Sequence, residues 1–297
     1  MDYDLTECRL CPRNCGADRT TGIGFCGGGV MARVAKAYLH MWEEPCISGK
    51  NGSGTVFFSG CSLKCVFCQN YKISAENFGR EVTSQRLGEI FLEQQDRGAH
   101  NINLVSPTHY VPQIINALDS VKDRLRIPVV YNSGGYEKTE TLKMLDGYVD
   151  IYLPDFKYYD NSIAEKYSAA PDYFETVTAA IDEMFRQVGK YNIGEDGLMR
   201  KGMIIRHLTL PTHRFDSVKV LEEIKRRYGT ENVLLSLMSQ YTPFYESSRY
   251  KELTRRISTF EYSFVADKAA ELGFDGFMQE KSSAKEEYTP DFDLSGV

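Results

Sequence analysis

The chain has 297 residues, 42% of them hydrophobic and 26% charged, with a formal net charge of −6. That length supports one large domain with an appendage or two ordinary domains, and the mixed composition excludes a disordered chain. The acidic balance excludes general affinity for nucleic acid or an anionic membrane. No apolar run approaches the roughly 18 residues of a membrane span, and the start MDYDLTECRL has neither a basic nor an apolar leader segment. A cytoplasmic location is therefore expected.

Residues 1–52 read as a small Cys- and Gly-rich N-terminal module, with too little apolar material for a core of its own. Thr55-Val56-Phe57-Phe58 is the first predicted strand. Thr83 or Ser84 caps a helix with the apolar face Leu87, Ile90 and Phe91, stopped at Gly98. Asn101 to Val105 is a second strand, followed by a helix marked by Ile114, Ile115, Leu118 and Val121. Val129 to Tyr131 is a third strand, and a short helix covers Glu140 to Leu145. Val149 to Leu153 is a fourth strand, with helical segments over Ser162 to Tyr167 and Phe174 to Val188. After a polar excursion from Gly189 to Gly202 come a strand at Met203 to Leu210, a helix at Ser217 to Arg227 and a sixth strand at Val233 to Met238. A helix over Tyr250 to Leu272 and a short strand at Phe274 to Met278 close the domain, and residues 281–297 form a polar tail.

Strands alternating with helices imply a parallel sheet with helical crossovers. Six units are fewer than the eight of a closed barrel, so the expected fold is α/β, a partial (β/α)6 TIM-like barrel over residues 53–280. Such folds collect their chemistry on the loops after the strands. Cys61, Ser106 to His109, Asn132 to Gly135, Asp155 to Lys157 and Gln240-Tyr241 all fall there, with His207 inside the fifth strand.

All eight cysteines lie between Cys8 and Cys68, a clustering that points to metal rather than to a disulfide framework. Cys61-x3-Cys65-x2-Cys68 lies on one loop directly after a strand. Iron–sulfur clusters are normally held by four thiolates. Three local ligands leave one iron open, and zinc would ask for a fourth ligand. The pattern resembles the radical S-adenosylmethionine (SAM) superfamily. The resemblance implies a [4Fe-4S] cluster on Cys61, Cys65 and Cys68, with SAM chelated at the open iron. It also implies reductive cleavage of SAM to a 5′-deoxyadenosyl radical that abstracts hydrogen from a substrate, with Phe67 near the adenine and a low-potential reductant such as flavodoxin or ferredoxin.

Later segments are similar to pyruvate formate-lyase activating enzymes and their uncharacterised homologues. Asp155-Phe156-Lys157 looks like the Asp-x-Lys in which both residues approach SAM. Asn132 and Ser133 sit where the family holds the methionine and ribose. Arg206 and His207 match its Ile-Arg-Tyr stretch. Gln240 or Tyr241 stands in place of its His. A Gly-Gly-Glu that grips the SAM amino group is replaced by Ser106-Pro107-Thr108-His109, where Ser106 or Thr108 hydroxyls can accept from an ammonium. His109 reads as an exposed loop residue. Arg206 and His207 point to opposite faces of a strand, so only one can reach the interior. The resemblance implies a polypeptide glycine among the possible substrates. A non-catalytic iron–sulfur redox-relay or metal-binding protein on the same scaffold is the alternative.

Cys8-x2-Cys11-x3-Cys15-x10-Cys26 supplies four more thiolates, suited to an auxiliary Fe–S cluster or a closed zinc site. Cys46 is left over and reads as a buried thiol. The string His40-Met41-Trp42-Glu43-Glu44-Pro45 is expected either to line the active-site mouth or to seal the module onto the barrel.

Overall fold

A computed structural model describes residues 3–278 and 290–297. The strands are β1 (Ala32–His40), β2 (Ser53–Phe58), β3 (Arg80–Val82), β4 (Ile102–Val105), β5 (Val129–Ser133), β6 (Ile151–Pro154), β7 (Asn192–Ile193), β8 (Met199–Leu208), β9 (Leu234–Met238) and β10 (Gly276–Met278). The helices are α1 (Pro45–Ser48), α2 (Tyr71–Ser74), α3 (Ser84–Asp96), α4 (Val111–Val121), α5 (Thr139–Lys143), α6 (Asn161–Ser168), α7 (Tyr173–Val188), α8 (Arg214–Tyr228) and α9 (Thr259–Leu272). None of them is long and apolar enough to cross a membrane.

The strands follow the order β10-β9-β8-β6-β5-β4-β2-β1-β3, with β7 beside β8. From β2 to β10 every neighbour along this path is parallel, while β1 runs antiparallel to both β2 and β3. The predicted α/β class and mostly parallel sheet are therefore present, as an open path of strands.

Strands β2, β4, β5 and β6 are buried along their whole length, which is why they read as apolar runs rather than as alternations. Their outward side chains meet the helices in two clusters. Val56, Phe58, Ile102 and Leu104 pack with α3 and α4. Tyr131, Tyr152, Ile205 and Leu237 pack with the helices from α5 to α9. On the other face Val130, Ile151, Leu153 and Ile204 form a small core closed by Cys46 and Ile47 of α1. Cys46 is thus a packing thiol, its pKa pushed up to about 12 by burial.

Several boundaries differ from expectation. Strand β1 falls inside the segment read as the N-terminal module, yet hydrogen-bonds to β2 from Val34 to His40. A bulge between Val34 and Lys36 breaks its alternation, which hid it. Strand β8 begins at Met199, within the polar excursion, because β7 folds back on it. Helix α9 starts only at Thr259. There Ser258 and Glu261 form a reciprocal capping box, and residues 247–253 make two 3-10 turns instead.

The expected polar tail lies outside the described residues up to residue 289. Beyond it the chain returns to the sheet: Phe292 packs with Ala35, Phe57, Ile73 and Val105. Leu294 N–H donates to Ala35 O at 3.1 Å and Ala37 N–H to Ser295 O at 2.9 Å.

Candidate active site

The loop that follows β2 turns through Gly60, whose φ of +88° is open to glycine. A Cβ there would stand 2.4 Å from the Cys26 carbonyl oxygen. That close approach lets Cys61 N–H donate to the same oxygen at 3.0 Å. The loop then carries Cys61, Cys65 and Cys68 into the lining of a cavity of about 240 Å³.

The same cavity is lined by Phe67, Ser106, Asn132, Ser133, Asp155, Lys157, Arg206 and Gln240. Apart from Phe67, which lies on the loop after β2, these come from the ends of β4, β5, β6, β8 and β9, so residues far apart in the chain are gathered at one end of the parallel sheet. Phe67 is nearly buried and lies edge-on to Tyr241 at 5.8 Å between ring centroids. Gln240 faces the cavity, whereas Tyr241 is buried and donates to Leu253 O.

The polar floor is one network. Arg206 Nε donates to Asp155 Oδ1 at 2.9 Å and its Nη2 to Asn132 Oδ1 at 2.6 Å. Lys157 Nζ pairs with the other Asp155 oxygen at 2.5 Å. Flanked by two cations, the Asp155 carboxyl is held below the usual range against the opposing cost of burial. Glu43 joins from the β1–α1 connection, 3.5 Å from Arg206 Nη1. Behind this floor Tyr173 OH meets the carbonyls of Gly134 and Asp155 and accepts from Lys157 N–H at 2.9 Å. Tyr173 had no motif to mark it, because it looked like one more helix aromatic, whereas Glu43 belongs to the His40–Pro45 string expected at the active-site mouth or at the module seam.

Two expected cofactor contacts lie elsewhere. His207 is buried on the helix side of β8, since strand alternation turns Arg206 inward and His207 out. Its Nδ1 lies 2.7 Å from Phe156 O and its Nε2 2.8 Å from Ser217 Oγ. Thr108 does not line the cavity of the three cysteines. Its hydroxyl donates to Glu137 Oε1 at 2.6 Å. It borders instead a small neighbouring pocket with Cys61, Ser106, His109 and Glu137. Tyr131 OH donates to the other Glu137 oxygen at 3.1 Å. Burial pushes the Glu137 carboxyl up to about 7. His109, read as an exposed loop residue, is buried, with Nε2 2.8 Å from Ser59 O.

The cysteine surroundings fit an iron–sulfur cluster. Ser168 Oγ donates to Cys65 Sγ at 3.0 Å and Ser74 Oγ lies 3.2 Å from Cys68 Sγ. Lys157 and Arg13 lie close enough to Cys65 to favour its anionic form, as Lys64 does for Cys61. Burial opposes them and pushes the free thiols of Cys61 and Cys68 up to about 12 and about 11, so metal loading must release protons.

In the N-terminal segment, Cys15 and Cys26 both border Gly24. The buried Arg19 spans from Cys8 Sγ, 3.6 Å from its Nη1, to the His109 carbonyl. Burial raises the Cys11 thiol to about 12, with smaller contributions from Cys26 and Cys15. Among the described residues no three His, Cys, Asp or Glu side chains converge closely enough to hold a single metal ion.

The model of the Radical SAM superfamily matches residues 55–194. The uncharacterised protein MJ0674 of Methanocaldococcus jannaschii is 30% identical over 287 residues, covering 91% of this chain and 76% of that one. The chain belongs to the radical SAM superfamily. Among solved structures it is similar to Streptococcus suis SuiB bound to S-adenosylmethionine, at 15% identity and a TM-score of 0.48, covering 74% of this chain and 48% of that one. It is also similar to the FeFe-hydrogenase maturase HydG from Carboxydothermus hydrogenoformans, at 9% identity and a TM-score of 0.48, covering 79% and 56%. The chain spans about half the length of these two structures.

Proposed function

We propose that this protein is a SAM-cleaving, hydrogen-abstracting enzyme, with Cys61, Cys65 and Cys68 as the three protein ligands of a [4Fe-4S] cluster. The observation that carries this is that the three thiols line one cavity together with Asp155, Arg206 and Lys157. When bound, the cluster supplies the electron that cleaves SAM and so generates the radical that takes hydrogen from the substrate.

The chain's own residues bind, orient and exclude water. Phe67 offers an apolar face for the adenine. Asp155, locked by Arg206 and Lys157, presents a fixed polar floor, and Asn132 and Ser133 offer hydrogen bonds to the methionine and ribose. Ser106 has a left-handed φ of +58°, a conformation costly for a non-glycine residue. It places Ser106 at the junction of the main cavity and the Cys61–Glu137 pocket. The SAM ammonium is assigned to that edge.

Residues 1–52 are proposed to hold an auxiliary Fe–S cluster on Cys8, Cys11, Cys15 and Cys26; a single zinc, the alternative, would require the sulfurs to draw closer together than they stand here. The reductant proposed is a flavodoxin or ferredoxin, and the setting the cytoplasm. A protein glycine, the substrate class of the activating enzymes, is the first polypeptide target to assay.

The test is anaerobic reconstitution with iron and sulfide, addition of dithionite and SAM, and measurement of 5′-deoxyadenosine. Product above that of a Cys65→Ala control is expected. Product no higher than that control rejects the enzyme and leaves the redox-relay alternative.

A further inference from the structure

A second chamber of about 200 Å³ adjoins the cysteine cavity, sharing Gln69, Asn70, Val105, Asn132, Arg206, Met238 and Gln240 as a common wall. Its far side is built from the β1–α1 connection, where Trp42, Glu43 and Glu44 line it. A molecule there would lie directly beyond the site assigned to SAM.

The charges in this region do not balance among the described residues. Asp155 pairs with Arg206 and Lys157, and Glu43 pairs with Arg206 and accepts from Asn132 Nδ2 at 3.3 Å. Every nitrogen-bearing branch of the Arg206 guanidinium is thereby engaged. Glu44 is only 7% exposed, yet among the described residues its Oε2 has no hydrogen-bond partner, and Arg206 acts on it through space without a direct ion pair. The Ser236 hydroxyl lies beside this carboxyl and, with Arg206, favours its anionic form against the larger opposing effect of burial. Three carboxyl groups thus face two cations, and burial favours the neutral forms of Glu43 and Glu44 against the pull of Arg206. Burying a charge without a partner is costly, and retaining Glu44 on the chamber wall makes sense if something else brings the missing positive charge. Trp42, 59% exposed at the rim, adds an aromatic face suited to a cation.

We infer that this chamber takes a substrate bearing a cationic amine, with its ammonium seated on Glu44 between the aromatic rim and the Arg206 network. The inference rests on the proposed reaction for its meaning, because the amine would anchor the molecule whose hydrogen is abstracted. Its anchoring geometry stands by itself. Two sources share this chemistry, a small free amine and a lysine side chain carried by a peptide.

Trp42 is the sole tryptophan of the chain, so its emission reports on the chamber. The cluster-loaded protein is titrated with n-butylamine and with n-butanol, which match in shape and differ in charge at pH 7. A saturable change in Trp42 emission is expected, with half-saturation at least ten-fold lower for the amine. In Glu44→Gln, checked for fold by circular dichroism and for iron content, the advantage of the amine should vanish. Equal responses to amine and alcohol, no response to either, or an undiminished amine preference in Glu44→Gln would overturn the inference. The comparison in the parent chain stands even if the variant fails to fold.

Free lysine and a pentapeptide with a central lysine, compared in the same titration, separate the two sources: tighter binding of the first supports a small amine, and of the second a peptide. Absence of 5′-deoxyadenosine would reject the proposed reaction and leave these titrations untouched. A flat titration in a SAM-cleaving protein would reject the amine alone.

Discussion

Arg206 and Asp155 meet across neighbouring strands, Nε to Oδ1 at 2.9 Å and Nη2 to the same oxygen at 2.8 Å. The pair links the residue after β6 to the C-terminal part of β8, beyond the point where those strands stop pairing directly. The last direct β6–β8 partners are Tyr152 and Met203, after which the ladder continues only as an isolated bridge between Asp155 and Arg206. The side-chain ion pair therefore sits where the backbone begins to splay, and it holds open a cavity edge while fixing its shape.

Asp155→Asn should consequently cost both stability and SAM affinity. It leaves two cations facing each other without their shared anion. Breaking a buried pair in this way costs about 3 kcal/mol. Chemical denaturation of the anaerobic protein should show the lowered midpoint, and equilibrium dialysis with SAM the weakened binding. An unchanged midpoint would mean that Arg206 and Lys157 reach solvent without Asp155.

Thr108→Val tests the pocket behind Cys61. The exchange keeps the shape of the side chain and removes the donor to Glu137, leaving a buried carboxyl with one partner fewer. A loss of about 1–3 kcal/mol is expected, with recovery in Thr108→Ser. Thermal denaturation of all three proteins at pH 8, where a carboxyl titrating at about 7 is mostly charged, would make the contrast largest. Equal melting of the Val and Ser variants would contradict the role given to the hydroxyl.

The central sheet was readable because its strands are buried on both faces, and a run such as Ile102-Asn103-Leu104-Val105 has few other ways to fold. The cysteine triplet was readable from spacing alone. Strand β1 was not, because its bulge puts Ala35 and Lys36 out of step and mixes buried with half-buried positions. With β1 unseen, it stayed open whether Glu43 and Glu44 line the active-site mouth or only seal the module, and nothing marked Arg206 as their neighbour. Thr108 and His109 misled for a related reason. A polar loop after a parallel strand reads as exposed, but here the N-terminal segment covers it, with Arg19 donating to the His109 carbonyl and packing over the Tyr110 ring. Contacts between segments ninety residues apart leave no periodic trace.

Gly60→Ala should impair cluster loading more than global folding. The new Cβ would lie 2.4 Å from the Cys26 carbonyl oxygen and 2.9 Å from His109 Nε2 at a φ of +88°. Neither the backbone of residue 26 nor a buried imidazole gives way easily, so the loop must shift Cys61 instead. Iron bound per chain after reconstitution, measured beside far-ultraviolet circular dichroism, should fall by at least half while the spectrum holds. Full iron loading would show that the loop absorbs the methyl group elsewhere.

His207 gives the fold a calculable acid sensitivity. A carbonyl only accepts, so Nδ1 must carry the proton donated to Phe156 O, and Nε2 then accepts from the Ser217 hydroxyl. The neutral ring satisfies both contacts, and burial holds its pKa down at about 4, below the roughly 6.5 of a free imidazole. The unfolded chain therefore takes up a proton before the folded one does. The stabilisation is complete above pH about 6.5 and is lost as the pH falls toward 4, by about 3 kcal/mol across that interval. Other buried histidines, His40 and His109, contribute in the same direction, so the parent must be compared with a His207→Gln variant. Denaturation midpoints at pH 7.5 and 5 should drop further in the parent than in the variant. Equal drops would show that the imidazole is protonated in place, with Ser217 turning to accept from it.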